Sequence, residues 1–225
     1  MDWRDALFVH WPVPAETLRP RIPPDLDLDE CDGSAWIGIV AFRIAGARAR
    51  GVPARLALRT FGEVNVRTYV TGGGTPGVWF LSLDAESALT VQAGRSALHL
   101  PYYRAQIAVA WDGTSCAYRC ERTGARAEPA RFAAEARLAG EERIAAAGSR
   151  EHFFVERYCF YTVNRRGRTV RGDVVHPPWP LRDATVSITE NTLLAAANVP
   201  PPTAAPLAHA SPGVAARANY LIAPA

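Results

Sequence analysis

Short apolar or alternating runs, separated by glycine, aspartate and proline, repeat along most of the chain. Strands joined by tight turns produce this pattern, because side chains alternate between the two faces of a strand. The predicted strands cover residues 6–11, 35–44, 62–70, 78–84, 106–120 (two strands), 158–163, 169–176 and 183–189. Segment 130–138 has a composition that favours a helix, but its apolar residues alternate with period two, so we predict another strand there.

Turn signals between these runs predict four hairpins. Asp32-Gly33 and Asp112-Gly113 each separate two apolar runs, which is a strong hairpin signal. The glycine-rich segment 72–77 and the segment 164–167 predict the other two turns. Short helices are predicted at 14–18, 87–94, 149–154 and 190–197.

The succession of strands and turns predicts a mainly β fold (β-rich α+β). Short strands linked by hairpins form a strongly curved antiparallel sheet or a closed barrel, here with short helices at its periphery. The chain of 225 residues shows no internal repeat and no linker long enough to divide it. We therefore predict a single domain over residues 1–225.

The composition leaves the predicted fold unchanged but limits the chemistry that the side chains can perform. All 25 positively charged side chains are arginine, so the chain contains no lysine. Schiff-base catalysis and phosphate binding by a P-loop lysine are therefore excluded for its side chains. The net charge of +3 is spread thinly, which argues against a nucleic-acid partner. The four cysteines show neither C-x-x-C nor zinc-ligand spacing, so no metal and no cofactor are predicted.

The beginning of the chain does not resemble a secretory signal. It is acidic and is interrupted by proline, and no apolar run reaches the roughly 20 residues of a membrane helix. These observations predict a cytoplasmic protein without a membrane partner.

The strand predicted at 62–70 has the most informative pattern. Glu63, Asn65 and Arg67 share one face with Tyr69, and three valines with Thr68 form the other face. One interpretation exposes the polar face to solvent and buries the valines in the core. The alternative lets the polar face line a ligand cavity inside a barrel, with the valines packed outside under a second layer.

A second candidate segment follows at Tyr102-Tyr103-Arg104. It is either the amphipathic start of a strand or a site at which a phenol donates a hydrogen bond to a carbonyl or an enolate. The turns at His176 and His209 lack the spacing of a catalytic triad, so we interpret both histidines as partners of the backbone.

Sequence blocks in order along nearly the whole chain resemble the YqjF-like family, a domain of unknown function. They include WRDALFVHWPVPAETLRPRIPPDLDLDECDGSAWIGIVAFRI, FGEVNVRTYV, GVWFLSLDAES, LPYYRAQI, EHFFVERYCFYT, HPPWPL, ENTLLAAA and HASPGV. More distantly, the family is similar to the acetoacetate decarboxylases, which implies a curved antiparallel sheet closed around a buried pocket.

The distant resemblance also implies site residues. It places the arginine that precedes the first strand at Arg4, the glutamate of the third strand at Glu63, and the Pro-Lys-Lys segment at Pro101-Tyr102-Tyr103. A second acid of that family falls near Gly38 and is missing. The pocket is thus expected to persist without its imine chemistry.

Two functions remain open. The first is an enzyme that acts on a small carbonyl or carboxylate compound without a Schiff base. The second is a non-catalytic protein that binds a small molecule in the same cavity. The candidate catalytic residues are Glu63, Arg4 and Tyr103, and the candidate substrate-binding residues are Arg67, Asn65 and Tyr102. The partner is expected to be a small molecule, and a homo-oligomer is compatible with the sequence.

Overall fold

The computed structural model describes residues 1–48, 51–124 and 127–224. The strands are β1 (Asp2–Val13), β2 (Asp27–Leu28), β3 (Ala35–Ala45), β4 (Phe61–Gly72), β5 (Thr75–Ala85), β6 (Tyr102–Trp111), β7 (Ser115–Arg122), β8 (Arg131–Ile144), β9 (Cys159–Val163), β10 (Thr169–Val175), β11 (Pro180–Asn191), β12 (Leu207–Ala215) and β13 (Arg217–Pro224). The helices are α1 (Ala15–Leu18), α2 (Ala88–Ala97), α3 (Arg150–Val155) and α4 (Leu193–Ala196), with 3-10 turns at Arg19–Arg21 and Ala54–Leu56.

Nine strands close into a ring in the order β5-β6-β7-β8-β11-β12-β1-β3-β4, and β4 pairs again with β5. A branch of β9, β10 and β13 leaves the ring at β5. The pairings are antiparallel except for short parallel contacts of β5 with β6 and with β9. The predicted mainly β, strongly curved and largely antiparallel sheet with short helices is therefore confirmed.

Three of the four predicted hairpins are confirmed, as β4–β5, β6–β7 and β9–β10. The fourth is wrong in its pairing. Asp32 and Gly33 do form a tight turn, with φ of 54° and 69°, closed by a bridge between Cys31 and Ser34. However, β2 pairs with β4 rather than with β3, and the Asp29 amide continues this contact by donating to the Tyr69 carbonyl at 3.0 Å.

The sequence analysis missed two strands after residue 200, where proline and alanine obscure the alternation. In β12, Gly213 lies beside Arg4 of β1, at a bulge where Asp5 has a φ of 54°. Gly213 itself has a φ of 127°, and a Cβ atom there would lie 2.0 Å from the Trp3 carbonyl oxygen. Only glycine fits this close approach of two backbones, so the bulge accounts for the glycine of the HASPGV block.

Strands β1, β3 and β4 are buried on both faces. One face of β1, β3 and β4 contributes Leu7, Ile39 and Val66 to a core shared with β6, β7 and β8, and this core fills the ring. The opposite face contributes Phe8 and Val40 to a second core, which α2, α3 and β9 cover from outside. In the described ranges, no helix has the length and apolar character that a membrane crossing requires.

Candidate functional site

A cavity of about 680 Å³ lies in the second core, on the outer face of the ring. The ring contributes β1, β3, β4 and β5, and the covering layer contributes α2, β9 and β10. Most of the lining is apolar or aromatic, including Phe8, Phe42, Phe80, Leu83, Leu98, Phe160 and Trp179. The polar lining includes Glu63, Asn65, Arg67, Tyr102, Arg157 and His176.

Glu63 is the central titratable group of this cavity. It is 3% exposed, and the Tyr102 hydroxyl donates a hydrogen bond of 2.9 Å to its Oε2 atom. Burial raises the pKa of Glu63 to about 7, although hydrogen bonds from Tyr102 and Asn65 favour the ionised form. Near neutral pH this carboxyl group therefore exists in both protonation states, which suits a group that accepts and returns a proton.

Asn65, two residues further along β4, is 2% exposed. Its Oδ1 atom is buried and has no hydrogen-bond partner among the described residues. Leaving such an acceptor unpaired is costly, so a ligand hydroxyl or amide group would gain a favourable hydrogen bond there.

Arg67 brings a positive charge to the same wall. Its Nη2 atom donates to the Phe154 carbonyl at 3.3 Å, and its guanidinium lies 5.8 Å from the ring centres of Phe8 and Tyr69. No carboxylate within the described ranges forms an ion pair with Arg67, and its buried Nε has no partner there. Arg157, by contrast, is paired with Asp29. Arg67 is thus a cation available for an anionic ligand on the β4 wall, and the exposed Arg48 is a further arginine of the lining.

The two proposed interpretations of residues 62–70 both need correction. The polar face is buried rather than exposed, and it lines the cavity. However, the valines lie inside the ring, and the polar residues lie outside it beneath the second layer. Apolar side chains pack into a core inside the ring, and the cavity lies on the outer face.

The structure does not bring Arg4 to the cavity. Its side chain is 57% exposed, pairs with Asp2 at 2.8 Å and is absent from the lining. The bulge at Asp5 shifts the register of β1, and Trp3 occupies the cavity wall instead. The predicted placement of Arg4 beside Glu63 is therefore wrong.

Tyr103 also lies outside the cavity lining, because successive residues of a strand point to opposite faces. Tyr102 faces Glu63, whereas Tyr103 packs over the Arg122 guanidinium at 3.8 Å. Arg122 in turn forms a buried ion pair with Asp84. The structure therefore separates the two phenols, and only Tyr102 can take part in the chemistry of the cavity.

Gly38, where the distant resemblance places a missing acid, lies against His10. A Cβ atom on Gly38 would lie 2.6 Å from the His10 ring. That ring is fully buried, stacks on Phe154 and contacts the Tyr69 hydroxyl at 2.6 Å. Burial, reinforced by the charge of Arg67, holds the pKa of His10 well below its usual range. The neutral His10 imidazole thus occupies the space that an acidic side chain at position 38 would need.

Because His10 is fixed on two sides, Gly38→Ala is expected to lower the free energy of unfolding by about 1–3 kcal/mol. Urea denaturation at constant pH measures this change. Gly124→Ala is the matched control, since its Cβ atom would have its nearest neighbour at 3.7 Å. Equal stabilities of the two variants would show that His10 moves aside freely.

Sequence reasoning missed most of the covering layer. His176 lines the cavity, and its ring contacts the Pro177 carbonyl at 2.8 Å, in agreement with the predicted backbone role. The same prediction is wrong for His209, whose Nδ1 atom has no partner among the described residues and whose Nε2 atom lies 3.7 Å from carboxylate oxygens of Glu151 and Asp183. Trp3 and Trp179 stack in parallel at 5.9 Å and form part of the same wall. The aromatic residues of the first strand and of the HPPWPL block were a signal in the sequence, but they do not reveal which segments meet.

The closed ring and its outer cavity define a protein with the acetoacetate-decarboxylase-like fold. Acetoacetate decarboxylase from Legionella pneumophila superposes with a TM-score of 0.64 at 12% identity, covering 95% of this chain and 83% of that one. The enduracididine biosynthesis enzyme MppR, solved with the condensation product of pyruvate and imidazole 4-carboxaldehyde, also superposes with a TM-score of 0.64. Its sequence identity is 14%, and the match covers 97% of this chain and 89% of MppR. An acetoacetate decarboxylase-like enzyme from Sphingomonas wittichii RW1 superposes with a TM-score of 0.61 at 15% identity, covering 96% of this chain and 88% of that one.

The sequence defines the family more closely than the fold does. The chain belongs to the DUF2071 family of uncharacterized conserved proteins, which it matches over residues 1–215. It is 37% identical over 207 residues to the uncharacterized protein YqjF of Bacillus subtilis strain 168, covering 92% of this chain and 84% of YqjF. The resemblance to the YqjF-like family is therefore confirmed.

Proposed function

We propose that the cavity binds a small carbonyl or carboxylate compound and that Glu63 transfers a proton on it without a Schiff base. The supporting observation is the buried pair of Glu63 and Tyr102 beside an arginine that lacks a countercharge. A carboxyl group with a pKa of about 7 is suited to both directions of proton transfer near neutral pH. The chain has no lysine that could form an imine with the ligand carbonyl, so the proposed proton transfer proceeds without an imine to a lysine side chain.

Each polar group of the cavity has a defined part in the proposed reaction. The Glu63 carboxylate removes a proton from the carbon next to the ligand carbonyl, and the electron pair of the broken C–H bond moves to the carbonyl oxygen. Arg67 stabilises the resulting enolate oxygen by charge, and the Asn65 Oδ1 atom accepts a ligand hydrogen bond. Tyr102 positions Glu63, because its hydroxyl donates to that carboxylate rather than to a ligand carbonyl. Glu63 then returns the proton to carbon.

The alternative is a binding protein that uses the same cavity without catalysis. The predominance of aromatic and aliphatic walls favours this function, since apolar surface contributes affinity without promoting a reaction. Proton exchange at carbon distinguishes the two functions, because only an enzyme accelerates it.

The test combines thermal shift with hydrogen–deuterium exchange of 2-oxobutanoate and 4-oxopentanoate, followed by NMR in D₂O. We expect the wild-type protein to be stabilised by an oxo acid and to exchange the protons next to its carbonyl. Glu63→Gln should retain the thermal shift while exchange falls to the buffer rate, and Arg67→Met should lose both effects. Glu141→Gln, at an exposed position, is the control.

The outcomes separate the two functions. Stabilisation of the wild-type protein without exchange would support the binding protein and contradict catalysis. Exchange that persists in Glu63→Gln would show that another group moves the proton.

A further inference from the structure

The cavity is large for the smallest oxo acids. A volume of about 680 Å³ is within the roughly 300–1,000 Å³ of pockets that enclose ligands of drug size. A four-carbon acid held by Glu63 and Arg67 would leave most of the apolar wall without a partner. The shape and polarity of the remaining space therefore carry information about the ligand.

Two unusual leucines mark the open end of the cavity. Leu89 on α2 is 64% exposed and Leu56 in the 3-10 turn is 62% exposed, the highest values among the large apolar side chains of the described ranges. Both contribute to the cavity lining. Exposed apolar side chains on the wall of a cavity indicate a contact that is completed by a ligand.

Polarity changes along the cavity from its buried end to this rim. Glu63 and Asn65 are 3% and 2% exposed, so they lie at the deep end. The other walls of the cavity are mostly apolar and include Phe42, Phe80, Leu98 and Phe160. The cavity therefore combines a buried polar end with a largely apolar channel that opens to solvent, where the exposed Arg48 also contributes to the lining.

We propose that the ligand is an amphipathic oxo acid with an unbranched alkyl tail of medium length, for which the saturated acid of the same length is a binding probe. Its carboxylate and its carbonyl oxygen both meet the Arg67 guanidinium, which has several N–H donors. Its tail follows the aromatic walls, and the end of the tail covers Leu56 and Leu89. This inference rests on the proposed function and specifies its substrate class. The charge on Arg67 selects the acid, and the apolar channel selects the tail.

Chain length provides the first test, with butanoate, hexanoate, octanoate and decanoate measured by isothermal titration calorimetry below their micelle concentrations. Burial of each added methylene should tighten the Kd about fourfold, until the tail reaches the rim. Octan-1-ol should bind at least about tenfold more weakly than octanoate, because it lacks the charged partner of Arg67. Arg67→Met should abolish this difference between acid and alcohol.

The rim provides the second test. The double variant Leu56→Asp/Leu89→Asp should weaken decanoate binding at least tenfold while leaving butanoate unchanged. Ile144→Asp, which replaces an exposed apolar residue outside the cavity lining, is the matched control.

Failure of this inference can be separated from failure of the proposed function. Butanoate that binds through Arg67 with no gain from longer tails would overturn the inference and leave the proposed function standing. Octan-1-ol that binds as tightly as octanoate would overturn recognition of the acid. Absence of binding for every acid, together with no exchange of oxo acids, would overturn both proposals.

Discussion

Replacement of Asp84 by alanine is expected to reduce the free energy of unfolding by about 3–5 kcal/mol. Asp84 and Arg122 form a two-point ion pair, with 2.7 Å between Oδ1 and Nε and 2.9 Å between Oδ2 and Nη2. Their side chains are 0% and 3% exposed. Burial opposes ionisation of Arg122, but Asp84 more than offsets this and raises the pKa of Arg122. Alanine would leave that cation buried without a countercharge.

Urea denaturation of the variant and two comparisons test this expectation. Glu121 precedes Arg122 in β7 and forms an exposed ion pair with Arg131 of β8. Glu121→Ala breaks this pair and should lower the free energy of unfolding by less than about 1 kcal/mol. The double replacement Asp84→Leu/Arg122→Met should recover much of the lost stability, because it removes both charges. If Asp84→Ala were as mild as Glu121→Ala, water would have to reach Arg122 freely.

The strands of this fold were predictable because alternation and turn chemistry are local properties of the chain. Residues 62–70 alternate with period two, and the turns at 72–77 and 112–113 join strands that are neighbours in sequence. Ring closure depends on pairs that are distant in sequence, such as β1 with β12 and β8 with β11. Nothing local specifies those pairs. The Asp32-Gly33 turn shows the same limit, since its flanking segments find partners elsewhere.

The candidate site was predictable only where it lies on one strand. Glu63, Asn65 and Arg67 share a face by strand geometry, and the structure places all three on one cavity. The prediction that Arg4 faces the cavity was wrong because the register shift at Asp5 cannot be deduced from residue spacing. Which face of β4 points into the ring was also undetermined, since both faces are buried. That choice depends on β9, α2 and α3, which cover the outer face.

The pH dependence of stability should reveal the protonation state of Glu63. Its pKa rises from an ordinary value near 4.5 to about 7 in the folded chain, so the folded state keeps a proton that the unfolded state has lost between these values. The stability contributed by the neutral carboxyl group is complete below pH 4.5 and is lost as the pH rises through 7. The loss amounts to about 3 kcal/mol, at roughly 1.4 kcal/mol for each pH unit.

Glu63→Gln provides the measurement, because glutamine keeps the shape and an acceptor for the Tyr102 hydroxyl but does not ionise. Wild type and variant should have similar free energies of unfolding near pH 4.5, and the variant should be about 3 kcal/mol more stable at pH 8. The buried histidines His10 and His209 titrate in both proteins, so the difference between the two curves isolates Glu63. Glu141→Gln should follow the wild-type curve within about 0.5 kcal/mol. If the Glu63→Gln and wild-type curves were parallel from pH 4.5 to 8, Glu63 would be ionised throughout. It would then be a carboxylate of ordinary basicity, and the raised pKa that suits it to proton transfer near neutral pH would be absent.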